Sequence, residues 1–544
     1  MGQSQASTHT DPAKEERSDG AETGTSPPAP GSSTSRMKPE QRSRKRALII
    51  GAGSSGLAAI QQALEAGLEP YCCEVRPGVG GAWRFDPDPG RCEWSFDSEG
   101  NAEVFTPGES DERGKPPPSP MYASLRTNVP TSLMQYRRQP FAPDVGLFCR
   151  HDQVQDYLED FARPFLPYIR FNTRVIDLRH ARPDDVEDAA DSHDSPPAPQ
   201  RRRWIATFRS TLRDDAPAER RFFDCVFVAN GHYSRPYIPY TEGLPTFTGE
   251  LSHARWYRDA QQYENKTILV VGNSASGYDI TRELATSIYA RRQAGQVPPE
   301  QLPRIYQSAR SPPVLGIPWD AADAPAYSKE VQTLPPIRRV ERRRIEFEDG
   351  RIVEDVDVII FATGYWFSFP FMRPTEAPFV DHPVTFAPPR PSEPEGTAPR
   401  PSAKGGLRIH HLDDRMLFYL PDPSLAFLGL PYLVIPFPLA QIQARLAALH
   451  FASSPQLPQP LSFHSNPAMA GPDGEEDAAP ETRATVTLGH PKQFDLHDRM
   501  LRESGDVRAA GGLEAYKGMW GLTSEGDRDL RKGAKGLRKA VLGY

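Results

Sequence analysis

Cysteine is scarce, positive charge is not in excess, and no apolar run is long enough to cross a bilayer. The 544 residues include 5 cysteines: Cys72, Cys73, Cys92, Cys149 and Cys225. An odd count with no Cys-x-x-Cys argues against a disulfide framework and a cysteine zinc site. It fits a reducing compartment, so a cytoplasmic location is expected. His410-His411 is an isolated pair and no His-Glu-x-x-His occurs, so no metal site is expected. The formal net charge of −7 points away from nucleic acid. The longest apolar stretch, Leu425 to Ala440, is broken by Pro431, Pro436 and Pro438 and falls short of the about 20 residues of a membrane span. Basic residues Arg531, Lys532, Lys535, Arg538 and Lys539 near the end rule against a hydrophobic tail anchor. Ala6 stands where a myristoylation motif wants Ser or Thr. The expectation is therefore no integral membrane segment and no lipid anchor. No solenoid-type repeat is present, and the oligomeric state stays open.

Proline is abundant, at 58, and collects in a few stretches. Residues 1–44 are Ser, Thr, Pro, Gly and charge, a composition that predicts a disordered tail. Residues 86–119, 374–406 and 452–487 read as mobile or inserted segments, and 181–202 as a charged loop between strands.

Two glycine-rich turns stand out against this background. Gly51-x-Gly53-x-x-Gly56 follows the apolar run Ala47-Leu48-Ile49-Ile50. Leu57, Ile60 and Leu64 then share one helical face, Gly67 supplies a C-cap, and a strand ends at Glu74. Gly51 allows the tight turn, Gly53 lets the backbone approach a pyrophosphate, and Gly56 lets helix and strand pack closely. The helix N-terminus with Ser54 and Ser55 offers N–H groups and a positive dipole end to phosphates. Glu74 falls where an acid accepts from ribose hydroxyls. Strand, turn, helix, strand and acid together predict a dinucleotide site. Gly80-Gly81-x-Trp83 follows closely, and an aromatic beside such a site suits a planar ring.

The second turn, Gly272-x-Ser274-x-Ser276-Gly277, follows Ile268-Leu269-Val270-Val271. Its middle glycine is replaced by a small serine. The next predicted strand, Arg304 to Ser308, leads to Arg310 and carries no acid at the ribose position. A carboxylate would repel a 2′-phosphate, whereas Ser308 and Arg310 would bind one, which favours NADPH over NADH. Two further runs, Phe222 to Asn230 and Asp357 to Thr363, each read as one buried strand. Residue 276 is not Gly, so this turn is no nucleophile elbow.

With these motifs in place the chain resembles the class B flavin-containing monooxygenases over roughly residues 45 to 450. The resemblance adds Tyr122-x-Ser124-Leu125-x-Thr127-Asn128-x-Pro130, similar to the family's Thr-Asn segment at the flavin. Phe247-x-Gly249-x-x-x-His253-x-x-x-Tyr257 matches the family-identifying motif. Phe361-Ala362-Thr363-Gly364-Tyr365 and Pro436-Phe437-Pro438 with Gln443-Ala444 complete it. One departure is Gln441, where the family usually carries an acid. Another is Tyr257-Arg258, where the related Baeyer–Villiger enzymes tend to have Trp followed by Pro or Asp.

The resemblance implies an α/β fold with two Rossmann-like dinucleotide-binding domains, the NADPH domain inserted into the FAD domain. The expected boundaries are 45–240 and 340–544 for FAD and 241–339 for NADPH. It implies that NADPH reduces FAD, that O2 adds at the flavin C4a, and that the hydroperoxide oxygenates a soft nucleophile, an amine or a thiol or thioether sulfur, of a small molecule. Asn128 is the expected polar group beside that oxygen, while His253 and Tyr257 are expected to be interdomain structure. Two alternatives remain open, a Baeyer–Villiger enzyme and an FAD-binding scaffold without turnover; a disulfide oxidoreductase is disfavoured, since only the adjacent Cys72-Cys73 follows the first glycine turn.

Overall fold

The structure, a computed structural model, describes residues 44–106, 116–185, 203–213, 215–295, 298, 303–313, 316–389, 393–394, 397–469, 482–507 and 520–544. The expected tail, bar Arg44, lies outside them.

Ten strands and five helices position the site. They are β1 (Arg46–Ile50), α1 (Ser54–Glu65), β2 (Glu69–Cys73), α2 (His151–Ala162), β3 (Ile169–Arg170) and β4 (Cys225–Val228). Next come β5 (Glu250–His253), β6 (Ile268–Val271), α3 (Ala275–Gln293), β7 (Ile305–Ser308), β8 (Val331–Leu334) and β9 (Val358–Phe361). Last are β10 (Leu425–Phe427), α4 (Pro436–Phe451) and α5 (Glu525–Leu542).

Two parallel five-stranded sheets result, in the orders β10-β4-β1-β2-β3 and β5-β9-β6-β7-β8. In each, the strand before a glycine turn lies centrally, with the next βα unit on one side and a later strand on the other. That reversal of direction opens a crevice at the carboxyl end of β1 and of β6, where ligands bind in open α/β sheets. The first sheet contains β1 to β4 and then, much later, β10. The second sheet is thus inserted within the first domain, as expected.

Parallel strands are covered on both faces, so they read as continuous apolar runs. Ile49 and Cys72 face one core with Leu57, Ile60 and Leu446 from α1 and α4. Leu48, Ile50 and Cys73 face the other, with Trp204 and Phe208 of an antiparallel meander.

Two expectations are corrected. Phe222 to Asn230 is not one strand: Glu219–Phe223 pairs in the meander, and β4 pairs with β1 in the parallel sheet. Asp224 sits at the break, where its carboxylate accepts from the Arg46 N–H at 2.7 Å. Apolar alternation alone does not reveal such a change of sheet. The expected boundary at 339/340 also falls too early, because β9 pairs with both β5 and β6 and completes the second sheet. The stretch 86–119 is not wholly loop. A hairpin of Trp94–Phe96 and Ala102–Val104 lays Trp94 against Phe361, ring centroids 5.6 Å apart.

Candidate active site

The first glycine turn is shaped by backbone contact. Gly51 has φ +100, and a Cβ there would lie 2.6 Å from the Ala229 carbonyl. A Cβ on Gly56 would lie 1.8 Å from the Gly51 carbonyl, so α1 packs on β1 only without one. Gly53 differs: its φ is −75, and a Cβ would meet only the Gly81 Cα at 3.5 Å. Protein packing does not require glycine there. The open space beside it leaves room for a ligand to cross the turn.

Around this turn are the groups that sequence reasoning placed at an FAD. Gly80 donates to the Ala52 carbonyl at 3.1 Å, which lays Gly81 over Gly53. Buried Glu74 reaches back from the end of β2, accepting from the Ala52 N–H at 2.7 Å and the Arg76 N–H at 2.9 Å. Burial pushes its pKa up, against the pull of those N–H groups. Ser54 and Ser55 lie in the first turn of α1. Gly429, just past β10, lies against Ser55, since a Cβ on it would be 2.7 Å from Oγ. Its N–H donates to Gln443 Oε1 at 2.9 Å, while Gln443 Nε2 is buried with no partner among the described residues. The buried Thr127 hydroxyl has no partner beyond the weak one of the Cys149 thiol. Trp83 packs edge-on to Phe437 at the start of α4. A backbone cradle that a Cβ would fill, a helix N-terminus and orphaned buried polar atoms fit an extended dinucleotide.

The second turn repeats the first. Gly272 has φ +105 and approaches the Ala362 carbonyl, and a Cβ on Gly277 would lie 2.1 Å from the Gly272 carbonyl. Ser274, at φ −74 and ψ −169, matches Gly53 at φ −75 and ψ −171. Any residue adopts that conformation, which explains the substitution. Ser276 lies in the first turn of α3. Ser308 turns inward, donating to the Pro335 carbonyl at 2.8 Å. Arg310 is exposed beyond β7, beside a bond from the Asn273 amide to the Ser311 carbonyl. Arg310, more than Ser308, is thus free to face a phosphate.

The Thr-Asn segment ties the domains together. Tyr122 donates to Asp279 of α3 at 2.6 Å, and the Ala123 N–H donates to the Arg258 carbonyl at 2.9 Å. Asn128 ends up in the wall of a cavity of about 260 Å³ with Leu433, which precedes α4, and His490. Among the described residues its amide forms no hydrogen bond.

The hydrogen bonds of His253 and Tyr257, expected to be interdomain structure, lie within the second domain. Fully buried His253 accepts from the Arg255 N–H on Nδ1 and donates from Nε2 to the Gly364 carbonyl, both at 3.2 Å. Burial holds its pKa down near 3, so it stays neutral. Tyr257 donates to Glu283 at 2.8 Å, and Ser124 donates to the other oxygen. Burial pushes the Glu283 carboxyl up to about 7, opposed by the Tyr257 bond and by Arg282. The folded pKa lies above the unfolded one, so the protonated acid favours folding below about pH 4.3. That contribution is lost as pH rises through 7, about 3–4 kcal/mol in all. Glu283→Gln is expected to flatten this part of the fall in Tm between pH 5 and 8. Parallel melting curves of parent and variant check it, and identical slopes would show that Glu283 titrates normally.

Three features escaped sequence reading. Gln441 is fully buried, accepting from the Arg137 N–H at 2.9 Å and donating to Gln61 at 2.8 Å. An ionised acid there cannot make the second bond, which accounts for the departure. Arg483, from the 452–487 insertion, donates to the Thr363 and Tyr365 carbonyls at 2.8 and 2.7 Å; an isolated arginine gives no local signal. Helix α5 brings its basic residues to the Asn128 cavity. Its signal was present in the i, i+4, i+7 spacing of Arg531, Lys535 and Arg538, behind a Ser524 cap that accepts from the Asp527 N–H.

Cys72 and Cys73 lie in separate cores on opposite faces of the sheet. Burial raises both thiol pKa values well above the ordinary range. Neither is a reactive thiolate, so the disulfide oxidoreductase alternative falls.

Two nucleotide crevices served by separate βα units define a class: an α/β oxidoreductase that passes electrons between two dinucleotides. The chain belongs to the flavin-binding monooxygenase-like family, whose model matches residues 44–292 and 326–384. It is 27% identical over 436 residues to the thiol-specific monooxygenase of Saccharomyces cerevisiae, covering 78% of this chain and 80% of that protein. It is 26% identical over 477 residues to dimethylaniline monooxygenase [N-oxide-forming] 2 of Rattus norvegicus, covering 76% and 74%. Among solved structures, the S-allyl-L-cysteine S-oxygenase of Allium sativum shares the fold, with TM-score 0.63 at 23% identity, over 91% of this chain and 93% of that one. The protein is a flavin-dependent monooxygenase using FAD and NADPH. No helix among the described residues is long and apolar enough to cross a membrane.

Proposed function

We propose that this enzyme transfers one oxygen atom of O2 to a soft nucleophile, an amine nitrogen or a thiol or thioether sulfur, of a small molecule. The observation that carries this is Asn128: an amide without a hydrogen-bond partner among the described residues, in the wall of a cavity it shares with Leu433, His490 and α5, on a segment that Tyr122 ties to the second domain. Bound FAD supplies the redox chemistry, taking reducing equivalents from NADPH and giving them to O2. The protein binds, orients and excludes water.

The FAD is assigned to Gly51, Gly53, Ser54, Ser55, Gly56, Glu74, Gly81, Trp83, Thr127 and Gln443. The NADPH is assigned to Gly272, Ser274, Ser276, Gly277 and Arg310, with Ser308 shaping the strand end. Asn128 donates from its amide nitrogen to the reacting oxygen and accepts on its amide oxygen from the nicotinamide amide. The names of two relatives, thiol-specific and dimethylaniline monooxygenase, suit such a reaction. The five unpaired cysteines, all but Cys92 buried, suit a cytoplasmic location.

The test offers the holoenzyme a thioether, N,N-dimethylaniline and a cyclic ketone, with NADPH. Sulfoxide or N-oxide is expected, and lactone as the main product would move the enzyme to the Baeyer–Villiger reading. Arg310→Ala is expected to weaken NADPH binding by about 1.5–3 kcal/mol, roughly ten- to a hundredfold, for one lost charge-assisted contact. NADH binding should barely change. An unaltered NADPH dissociation constant would show that Arg310 does not touch the phosphate.

A further inference from the structure

The wall of the Asn128 cavity opposite the amide is built by α5 and is entirely basic. Arg531, Lys532, Lys535 and Arg538 line it, and no lining residue is acidic. This is unusual in a chain with net charge −7. The arginines are short of counterions. Arg531 is half-buried; its one hydrogen bond among the described residues is a long one, 3.4 Å to the Leu433 carbonyl, and its Nε is buried with no partner. Arg538 is buried, its Nε also orphaned, and its carboxylate partner Asp279 stands 3.5 Å away. Asp279 is already shared with Tyr122 and Arg282. Lys532 and Lys535 are exposed at the rim. By contrast, Arg528 and Lys539 on the same helix are paired, with Asp498 and Asp323.

A half-buried guanidinium without a counterion is costly unless an anion joins it. Polar groups left without partners mark a place where a ligand completes the bonding. The cavity, about 260 Å³, is just under the usual range for small-molecule sites. Cations in a confined cleft also concentrate anions there.

We infer that this cavity takes an anionic group of the substrate, with Arg531 as its principal anchor, so that the preferred substrates are thioethers or amines carrying a carboxylate a few atoms from the nucleophile. The inference rests on the monooxygenase reading of the Asn128 cavity. A planar carboxylate is matched by the forked N–H groups of Arg531, while Lys535 at the rim raises the local concentration of acids. The nucleophilic atom then points to the Asn128 wall.

The same anion chemistry is offered by the phosphates of NADPH, so the experiment separates the two sources. FAD- and NADP+-loaded enzyme is titrated with 3-(methylsulfonyl)propanoate, whose sulfur is already fully oxidised, and with its neutral N-methylamide, following binding by calorimetry. The acid is expected to bind at least tenfold more tightly, and Arg531→Ala to bring the ratio towards one, with Arg531→Lys retaining part of it. The kcat/KM ratio of 3-(methylthio)propanoate to its amide should fall in parallel. Equal binding of acid and amide by the parent overturns the inference, whatever the variants do. So does an Arg531→Ala protein that keeps the acid preference while its NADPH dissociation constant rises, since the anion is then the cofactor's phosphate. Acid-selective binding with no oxygenated product from either thioether would instead strike the monooxygenase reading and leave the anion site standing.

Discussion

Asn128→Ala enzyme is expected to hold its FAD and accept electrons from NADPH, yet release hydrogen peroxide in place of oxygenated product. FAD binding draws on the first glycine turn, Glu74 and Gln443. Reduction draws on the second turn. Both sets keep these contacts without the Asn128 amide, whose proposed partners are the reacting oxygen and the nicotinamide amide. Productive oxygenation needs one atom of O2 to reach the substrate while the other leaves as water. A well-placed donor in a water-excluded site is worth about 2–4 kcal/mol, so its loss shifts the branching towards peroxide by roughly thirtyfold or more. Product and peroxide are counted per NADPH consumed. Coupling as tight as in the parent would leave Asn128 only shaping the turn before Pro130.

The glycines of the first turn should separate cleanly. Gly56→Ala drives a Cβ to 1.8 Å from the Gly51 carbonyl, a backbone atom that cannot swing aside. The expected loss of fold stability is more than about 3 kcal/mol, beyond the usual range for overpacking. FAD is lost as a consequence. Gly53→Ala meets nothing closer than 3.5 Å and keeps an allowed backbone, so the apoprotein should melt within about 1 kcal/mol of the parent. The added methyl projects where the diphosphate passes, and FAD affinity should fall by about 1–3 kcal/mol. Thermal melts of apoprotein and FAD titrations measure the two effects separately. A Gly53→Ala protein with full FAD affinity would place the cofactor elsewhere.

The parts legible in the sequence are those where one residue type is forced locally. Gly56 and Gly277 are fixed by backbone contacts five residues back, and Gly51 and Gly272 by the positive φ of the turn. The doubled strand-turn-helix pattern pointed to two dinucleotide-binding units, while the insertion of one in the other came from the family resemblance. Boundaries were less legible, because they are decided by pairing between distant segments. Val358–Phe361 has the same apolar run whichever sheet it joins. Phe222 to Val228 is apolar apart from Asp224, the point where it changes sheet. At the site, Glu74 and Gln443 fall in place by position in the motifs. The direction of the Ser308 hydroxyl is set by Pro335, 27 residues on, which strand patterning does not encode. The α5 face was visible as charge spacing, but its place opposite Asn128 depends on long-range docking through Asp279.

The most direct test of the central claim is isotopic. Holoenzyme, NADPH and a thioether are incubated under 18O2, and the sulfoxide is weighed by mass spectrometry. One 18O atom per product, with one NADPH consumed for each, is the result expected of a monooxygenase. Sulfoxide without the label, or NADPH consumed only to peroxide in the intact parent enzyme, would contradict it.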